Sequence, residues 1–239
     1  MTEHKPTIVL VHGAFADASS WNGVVQKLQA HDYRVIAAAN PLRGLTTDAA
    51  YVRQLVTSVD GPVVLVGHSY GGCVISDAAT GLGNVRALVF VAGFLPEEGE
   101  SAVTLSGKFP GSTLGDTLRS VPVTLPDGVQ AMDLYIEQGK FHQQFAADVP
   151  EETTAVMAAT QRPVTDAALA EGASAPAWRD IPSWVLVADE DRNIPPQAQA
   201  YMAERANASV MTVSASHAVS VSRPGDVARL INEAAQATA

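Results

Sequence analysis

The chain has 239 residues, 47% of them apolar and 17% charged, a balance that suits one domain around a sizeable core and not a disordered chain. Its formal net charge of −10 repels phosphate backbones and argues against nucleic-acid partners. A single cysteine, Cys73, excludes an intrachain disulfide and a cysteine-rich metal site. The six histidines include no i, i+4 pair of the kind that holds helical zinc. Met1 to Pro6 is polar, without the apolar core of a signal peptide. The longest apolar runs fall well short of the roughly 20 residues a membrane helix needs. The expectation is a soluble, cytoplasmic protein with no metal, no cofactor and no membrane or nucleic-acid partner. The sequence leaves its oligomeric state open, a homodimer being one option.

In chain order, Thr7 to His12 is a continuous apolar run rich in β-branched residues, which reads as a strand buried on both faces. Ser19 to Ala30 carries Trp21, Val24, Val25 and Leu28 on one helical stripe. Tyr33 to Ala39 is the next strand. Thr46 to Val59 follows as a helix, with Thr46 or Thr47 as its expected cap. Gly61-Pro62 marks a turn. Val63 to Gly67 is a third strand, Tyr70 to Thr80 a helix of small residues and Val85 to Ala92 a fourth strand. Trp184 to Ala188 and Val210 to Val213 supply two more. Helices are expected at Pro196 to Ala206 and Pro224 to Ala235, whose prolines suit the first turn. Strand and helix alternation implies a parallel sheet covered on both sides. It breaks once, between Phe94 and Pro182, over a stretch too long for a plain loop. Segments such as Gln130 to Gln138 and Glu151 to Thr160 look helical. The expected organisation is a core of residues 1–94 and 182–239, with residues 95–181 as an inserted helical cap.

Gly67-His68-Ser69-Tyr70-Gly71 matches G-x-S-x-G. Four aliphatic residues precede it and a helix-forming segment follows. In that context a strand turns sharply into a helix with the serine at the apex, and the flanking glycines keep side chains clear of its hydroxyl. The helix then aims its positive end at the site. Ser69 is the expected nucleophile.

With these residues the chain resembles α/β-hydrolases, and more closely the small esterases related to plant methylesterases and hydroxynitrile lyases. The likeness runs along essentially the whole chain. It is strongest at Leu10-Val11-His12-Gly13-Ala14, at Gly67 to Gly72 and from Trp184 to His217. It implies an α/β-hydrolase fold with a mostly parallel six-stranded sheet, helices on both faces and a cap.

Triad order in such a fold is Ser, then Asp or Glu, then His. Two histidines lie downstream of Ser69. His142 falls in the cap stretch and reads as a surface or cap residue. His217 follows the last short strand and precedes the last helix, where the fold places its base, and Ser216-His217 resembles the family's site. Asp189, Glu190 and Asp191 all follow the strand Trp184 to Ala188. The family pattern of a small residue, Asp and Pro matches Ala188, Asp191 and Pro195, which implies Asp191 as the acid, with Asp189 next. The acid would hold the imidazole tautomer and stabilise the imidazolium. Of the two oxyanion N–H donors, one is that of Tyr70, after the nucleophile, and the resemblance implies Ala14 for the other. His12 and His68 read as structural hydrogen-bonders. Phe15 and Tyr70 are expected at the substrate, with Phe94, Leu118, Met132, Leu134, Phe141, Phe145 and Trp178 as further apolar pocket walls.

The implied activity is hydrolysis of small, largely apolar carboxylic esters through an acyl-enzyme. Two rivals differ in class. Lyases of the family carry lysine after the histidine and threonine near the oxyanion loop, where this chain has Ala218 and Gly13. A non-catalytic small-molecule receptor on the same scaffold is the other. Nucleotide binding lacks its motif, since Gly67 to Gly72 has neither the Lys-Ser/Thr of a phosphate loop nor G-x-G-x-x-G. Peracid formation or halide oxidation would be a side activity.

Overall fold

Along β1 (Thr7–Val11) successive side chains point to opposite faces. Ile8 and Leu10 enter one apolar core, Val9 and Val11 another. The strand is therefore buried on both sides, as its uninterrupted apolar run requires. The structure is a computed structural model that describes residues 5–125 and 128–238; Met1 to His4, from the stretch expected to lack a signal peptide, lie outside the described residues. After β1 come α1 (Asn22–Gln29), β2 (Val35–Ala38), α2 (Leu45–Thr57), β3 (Val63–His68), α3 (Gly71–Ala79) and β4 (Val85–Val91). The stretch between Phe94 and Pro182 adds α4 (Ala102–Ser106), β5 (Leu118–Thr124), β6 (Gln130–Ile136), α5 (Gln138–Phe145), α6 (Glu151–Thr160), β7 (Val164–Thr165) and α7 (Asp166–Ala170). Then follow β8 (Ser183–Ala188), α8 (Pro196–Arg205), β9 (Ser209–Val213), α9 (Val219–Ser222) and α10 (Pro224–Ala237).

Six strands form the main sheet in the order β2-β1-β3-β4-β8-β9, with every described pairing parallel. One face is covered by α1 and α10 through Val24, Leu28, Val227, Leu230 and Ile231, with Trp21 just before α1. Residues of α2, α3 and α8, among them Val52, Val74 and Met202, pack on the other. Each fully buried aliphatic side chain contributes roughly 1.5–3 kcal/mol to this arrangement. The chain leaves β1 toward one edge and β3 toward the other. The strand order thus reverses between β1 and β3, and a crevice opens beyond their carboxyl ends. Residues 12–16 and Ser69 sit there.

Two expectations need correction. The insertion is not all helical. Gln130 to Gln138, read as a helix, is largely strand β6, paired antiparallel with β5 (Leu118↔Ile136) and with β7 (Leu134↔Val164). Met132, Tyr135 and Ile136 fit an i, i+3, i+4 stripe, but Ala131 and Asp133 are buried at period 2, and pairing between strands decides the outcome. Buried Asp133 meets Arg43 of the core at 2.6 Å. The cap of α2 is Gly44 rather than Thr46 or Thr47. The Glu171 carboxylate, from the insertion, accepts from Thr46 N–H at 3.2 Å and from its hydroxyl at 2.5 Å, placing an anion at the positive helix end. Among the described residues no helix is long and apolar enough to cross a membrane.

Candidate active site

Ser69 follows β3 directly and has φ 54°, a left-handed backbone that L residues other than Asn and Asp rarely adopt. Such strain marks a turn held by its surroundings. Here Ser69 N–H donates to Val91 O at 3.3 Å, and Ser69 O accepts from Gly72 N–H at 2.9 Å and Phe94 N–H at 3.2 Å. The turn presses so closely on β1 that a Cβ on Gly71 would lie 2.4 Å from Val11 O, and one on Gly13 would lie 2.6 Å from Ser69 Cβ. Only glycine fits at either place.

His217 Nδ1 lies 2.6 Å from Asp191 Oδ2. A carboxylate oxygen accepts, so Nδ1 carries a proton, and in the neutral ring Nε2 is left with the lone pair. Nε2 is buried and unpartnered among the described residues. Ser69 Oγ does not donate to it in this structure. The two residues are nonetheless neighbours: His68, next to Ser69, places its Nε2 2.9 Å from His217 O, and the two rings lie 4.7 Å apart. Asp191 is held by Asn193 N–H at 2.7 Å, Ile194 N–H at 3.0 Å and Gln199 Nε2 at 2.9 Å. Gln199 is oriented in turn by accepting from Ala188 N–H at 3.0 Å and donating to Ile194 O at 2.9 Å. Sequence reasoning missed Gln199; its one signal was a polar residue on the inward stripe of α8. The alternatives stand apart: Asp189 and Glu190 are exposed, and Glu190 accepts from Ser214 Oγ. His142, as expected, lies in the insertion, its Nε2 3.0 Å from Val149 O.

Beside Ser69, the backbone N–H groups of Ala14 and Tyr70 make no hydrogen bond among the described residues, whereas Phe15 N–H is engaged by Arg162 O at 3.1 Å. All three residues line one cavity with Ser69. His12 N–H chemistry supports the loop: its Nδ1 lies 2.9 Å from Gly13 O, and Asn40 Nδ2 donates to His12 O at 2.9 Å. The Tyr70 phenol faces away from this chemistry and donates to Asp48 Oδ2 at 2.9 Å. Burial pushes the Asp48 carboxyl up from its usual range and the Tyr70 phenol well above its own. Tyr70→Phe is expected to cost about 1–3 kcal/mol of stability by leaving that buried carboxylate short of a donor. Turnover per folded molecule should change less than threefold, because the backbone amide stays; a large kcat loss would show that the hydroxyl takes part.

The cavity has a volume of about 250 Å³, with Phe15, Phe94, Leu118 and Leu134 among its walls and Asn193 at one side. Four other expected pocket residues are placed elsewhere. Phe145 packs edge-on against the His217 ring at 5.0 Å, with Phe141 stacked behind it at 5.0 Å. Trp178 donates its Nε1–H to Pro96 O at 2.8 Å and meets Arg205. Met132 lies on β6 with its N–H held by Asp166. These aromatics fill the seam between insertion and core, which hydrophobicity alone does not distinguish from a pocket wall. A second cavity of about 390 Å³ lies on the other side of Phe15, toward α6, without Ser69 or either free amide.

His68 is fully buried. Its Nε2 must donate to the His217 carbonyl, and its buried Nδ1 has no acceptor among the described residues to take a second proton's hydrogen bond, so the ring is held neutral. Burial first, then the adjacent His217 ring, pushes it down to about 3; His12 is lowered by burial as well. An unfolded histidine titrates near 6.5. The unfolded chain therefore binds a proton that the folded one refuses as pH falls from about 6.5 toward 3. Folding stability is complete above that window and is lost within it, at up to about 1.4 kcal/mol per pH unit for each such ring. Urea unfolding at pH 7, 6 and 5 should show this slope, and His68→Gln should flatten it; an equal slope in both proteins contradicts the assignment.

A sequence profile of the alpha/beta hydrolase family matches residues 8–230. The chain is 26% identical to the alpha/beta hydrolase nvfD of Aspergillus novofumigatus over 97% of both chains. It is 33% identical to Methylesterase 2 of Arabidopsis thaliana, over 46% of this chain and 48% of that one. Among solved structures, polyneuridine aldehyde esterase superposes with a TM-score of 0.83 at 20% identity, over 96% of this chain and 99% of the other; this is a likeness of fold.

Proposed function

From the premise that this chain belongs to the alpha/beta hydrolase family, we propose that it cleaves carboxylic esters of small, largely apolar acids through an acyl-enzyme on Ser69. The observation that carries the reading is the pair Asp191–His217, which turns an unpartnered Nε2 lone pair toward the neighbourhood of a strained serine. Ser69 Oγ turns to Nε2 and attacks the ester carbonyl as the imidazole takes its proton. The carbonyl oxygen becomes an oxyanion and accepts from Ala14 and Tyr70 N–H, each donor contributing roughly 2.7–4 kcal/mol in the transition state. The tetrahedral intermediate collapses, the alkoxide leaves with the proton from His217, and the acyl group remains on Ser69. Water then gives a proton to Nε2 and attacks the acyl carbon, releasing the acid and restoring the serine. The apolar walls Phe15, Phe94, Leu118 and Leu134 favour an uncharged, largely apolar acyl chain.

The lyase alternative is disfavoured by Ala218 after the histidine and Gly13 in the oxyanion loop. A receptor would bind esters without consuming them. Methyl, p-nitrophenyl and lactone esters of two to eight acyl carbons, ranked by kcat/KM, separate these readings. The expected result is turnover, greatest for small apolar acyl groups, with a fluorophosphonate adduct on the Ser69 peptide. Absence of both turnover and adduct would refute the hydrolase reading of this site.

A further inference from the structure

We propose that Asn193 is a specificity-determining residue whose side-chain N–H donates to an acceptor oxygen within the acyl chain, one that the ester carbonyl does not supply. The inference rests on the ester-hydrolase reading above and names a feature of the substrate it takes. It follows from a chain of amides in which each orientation fixes the next. Gln144 Nε2 lies 2.9 Å from Arg192 O. A backbone carbonyl can only accept, so this end of Gln144 is its NH₂ group. Gln144 Oε1 then faces Thr113, whose hydroxyl donates to it at 2.8 Å. The same Nε2 lies 2.7 Å from the Asn193 side chain. The Asn193 atom facing a donor must be its oxygen, and Nδ2 is left on the other side.

Asn193 Nδ2 has no partner among the described residues, yet it is not among the sealed, unpartnered polar atoms. Asn193 is 3% exposed and lines the cavity with Ser69, Ala14 and Tyr70, the open space left for Nδ2 to face. The residue is held on three further sides. Its N–H donates to Asp191 Oδ1 at 2.7 Å, its carbonyl accepts from Ser112 Oγ at 2.8 Å, and the neighbouring Arg192 carbonyl accepts from Thr113 N–H at 3.0 Å. Asn193 therefore presents a donor in one fixed direction, two residues from the acid that orients His217. The other polar side chains at this cavity offer no fixed donor: Tyr70 OH is bound to Asp48, Ser112 Oγ to Asn193 O, the exposed Asp166 carboxylate can only accept and takes the Met132 and Ala167 N–H groups on Oδ1, and Ser106 is half-buried at the end of α4. In an apolar cavity, one fixed donor discriminates strongly, because a substrate without an acceptor leaves it unpaired.

The test compares methyl methoxyacetate with methyl butyrate, which differ by an ether oxygen in place of a methylene. With a one-carbon alcohol, the acyl chain must fill the cavity. The readout is the ratio of their kcat/KM values in the wild-type protein and in Asn193→Leu, so that intrinsic reactivity cancels. The expected result is that the substitution shifts the ratio toward butyrate about five- to tenfold, the worth of one buried neutral hydrogen bond. Loss of the Gln144 contact alone would lower both rates together and leave the ratio unchanged, and that outcome overturns the proposal. Should Asn193→Leu fail to fold, the wild-type protein decides through an isosteric pair of ligands that cannot be hydrolysed. Methoxyacetone should bind more tightly than 2-pentanone, measured by inhibition or thermal shift, and equal binding rejects the role. Turnover of both esters with an unmoved ratio defeats this inference alone. Turnover of neither ester counts against the hydrolase reading, and the ketone pair still tests Asn193.

Discussion

Ser69→Ala is expected to lower kcat on any accepted ester by about 10⁵–10⁶-fold while leaving the protein folded. The size follows from what is lost. Without Oγ no acyl-enzyme forms, and the orphaned His217 base and oxyanion amides retain only a residual rate over water. The fold should tolerate the change, because Ser69 Oγ makes no hydrogen bond among the described residues and the bonds that hold the turn come from Ser69 N–H and O. Alanine keeps the Cβ and, like serine, must accept φ 54°, so the backbone strain is nearly the same before and after. Thermal unfolding should shift by no more than a few degrees, KM should stay within a few-fold, and the fluorophosphonate adduct should vanish. Residual activity within tenfold of wild type, with the adduct retained, would move the nucleophile to another residue.

Asp191→Asn should lower kcat by about 10⁴-fold. Asp191 takes donors on both oxygens: the Asn193 and Ile194 amides on Oδ1, and Gln199 Nε2 and His217 Nδ1 on Oδ2. An asparagine can satisfy the two backbone amides with its oxygen, but then its NH₂ faces two more donors. His217 relieves the conflict by moving its proton to Nε2, and in that tautomer it can no longer accept from Ser69. Gln199 is left with an uncompensated contact, so a stability cost of about 1–3 kcal/mol accompanies the loss of rate. The comparison that matters is with Asp189→Asn. That residue is exposed and its replacement should leave kcat within about threefold. A larger loss at Asp189 than at Asp191 would reverse the assignment of the acid.

Legibility in the sequence differed by element. The central strands β1 and β3 were readable as unbroken apolar runs, as strands buried on both faces must be, and the outer strands β2 and β9 as shorter runs rich in β-branched or small apolar residues, only partly buried. Ser69 was readable from the small residues around it, since the close approach of turn, strand and helix that they permit is a local requirement. Pro196 and Pro224 marked helix starts because a missing N–H costs nothing there. Strand β6 was not readable, because a seven-residue segment with Met132, Tyr135 and Ile136 satisfies helical and strand periods about equally. Pairing with β5 and β7 settles the matter and depends on residues far along the chain. The α2 cap was missed for a similar reason, as Glu171 reaches Thr46 from 125 positions away.

By itself, then, the sequence determined the order of strands and helices, the serine turn and a short set of acids and bases, because each is written in neighbouring residues through sterics and hydrogen-bonding capacity. Only the tertiary structure decided which carboxylate meets His217, which aromatics wall the cavity and which pack behind the imidazole, and which way the Asn193 amide faces. Those outcomes depend on distances between groups tens to more than a hundred residues apart, set by how the insertion and the core bury one another's surfaces.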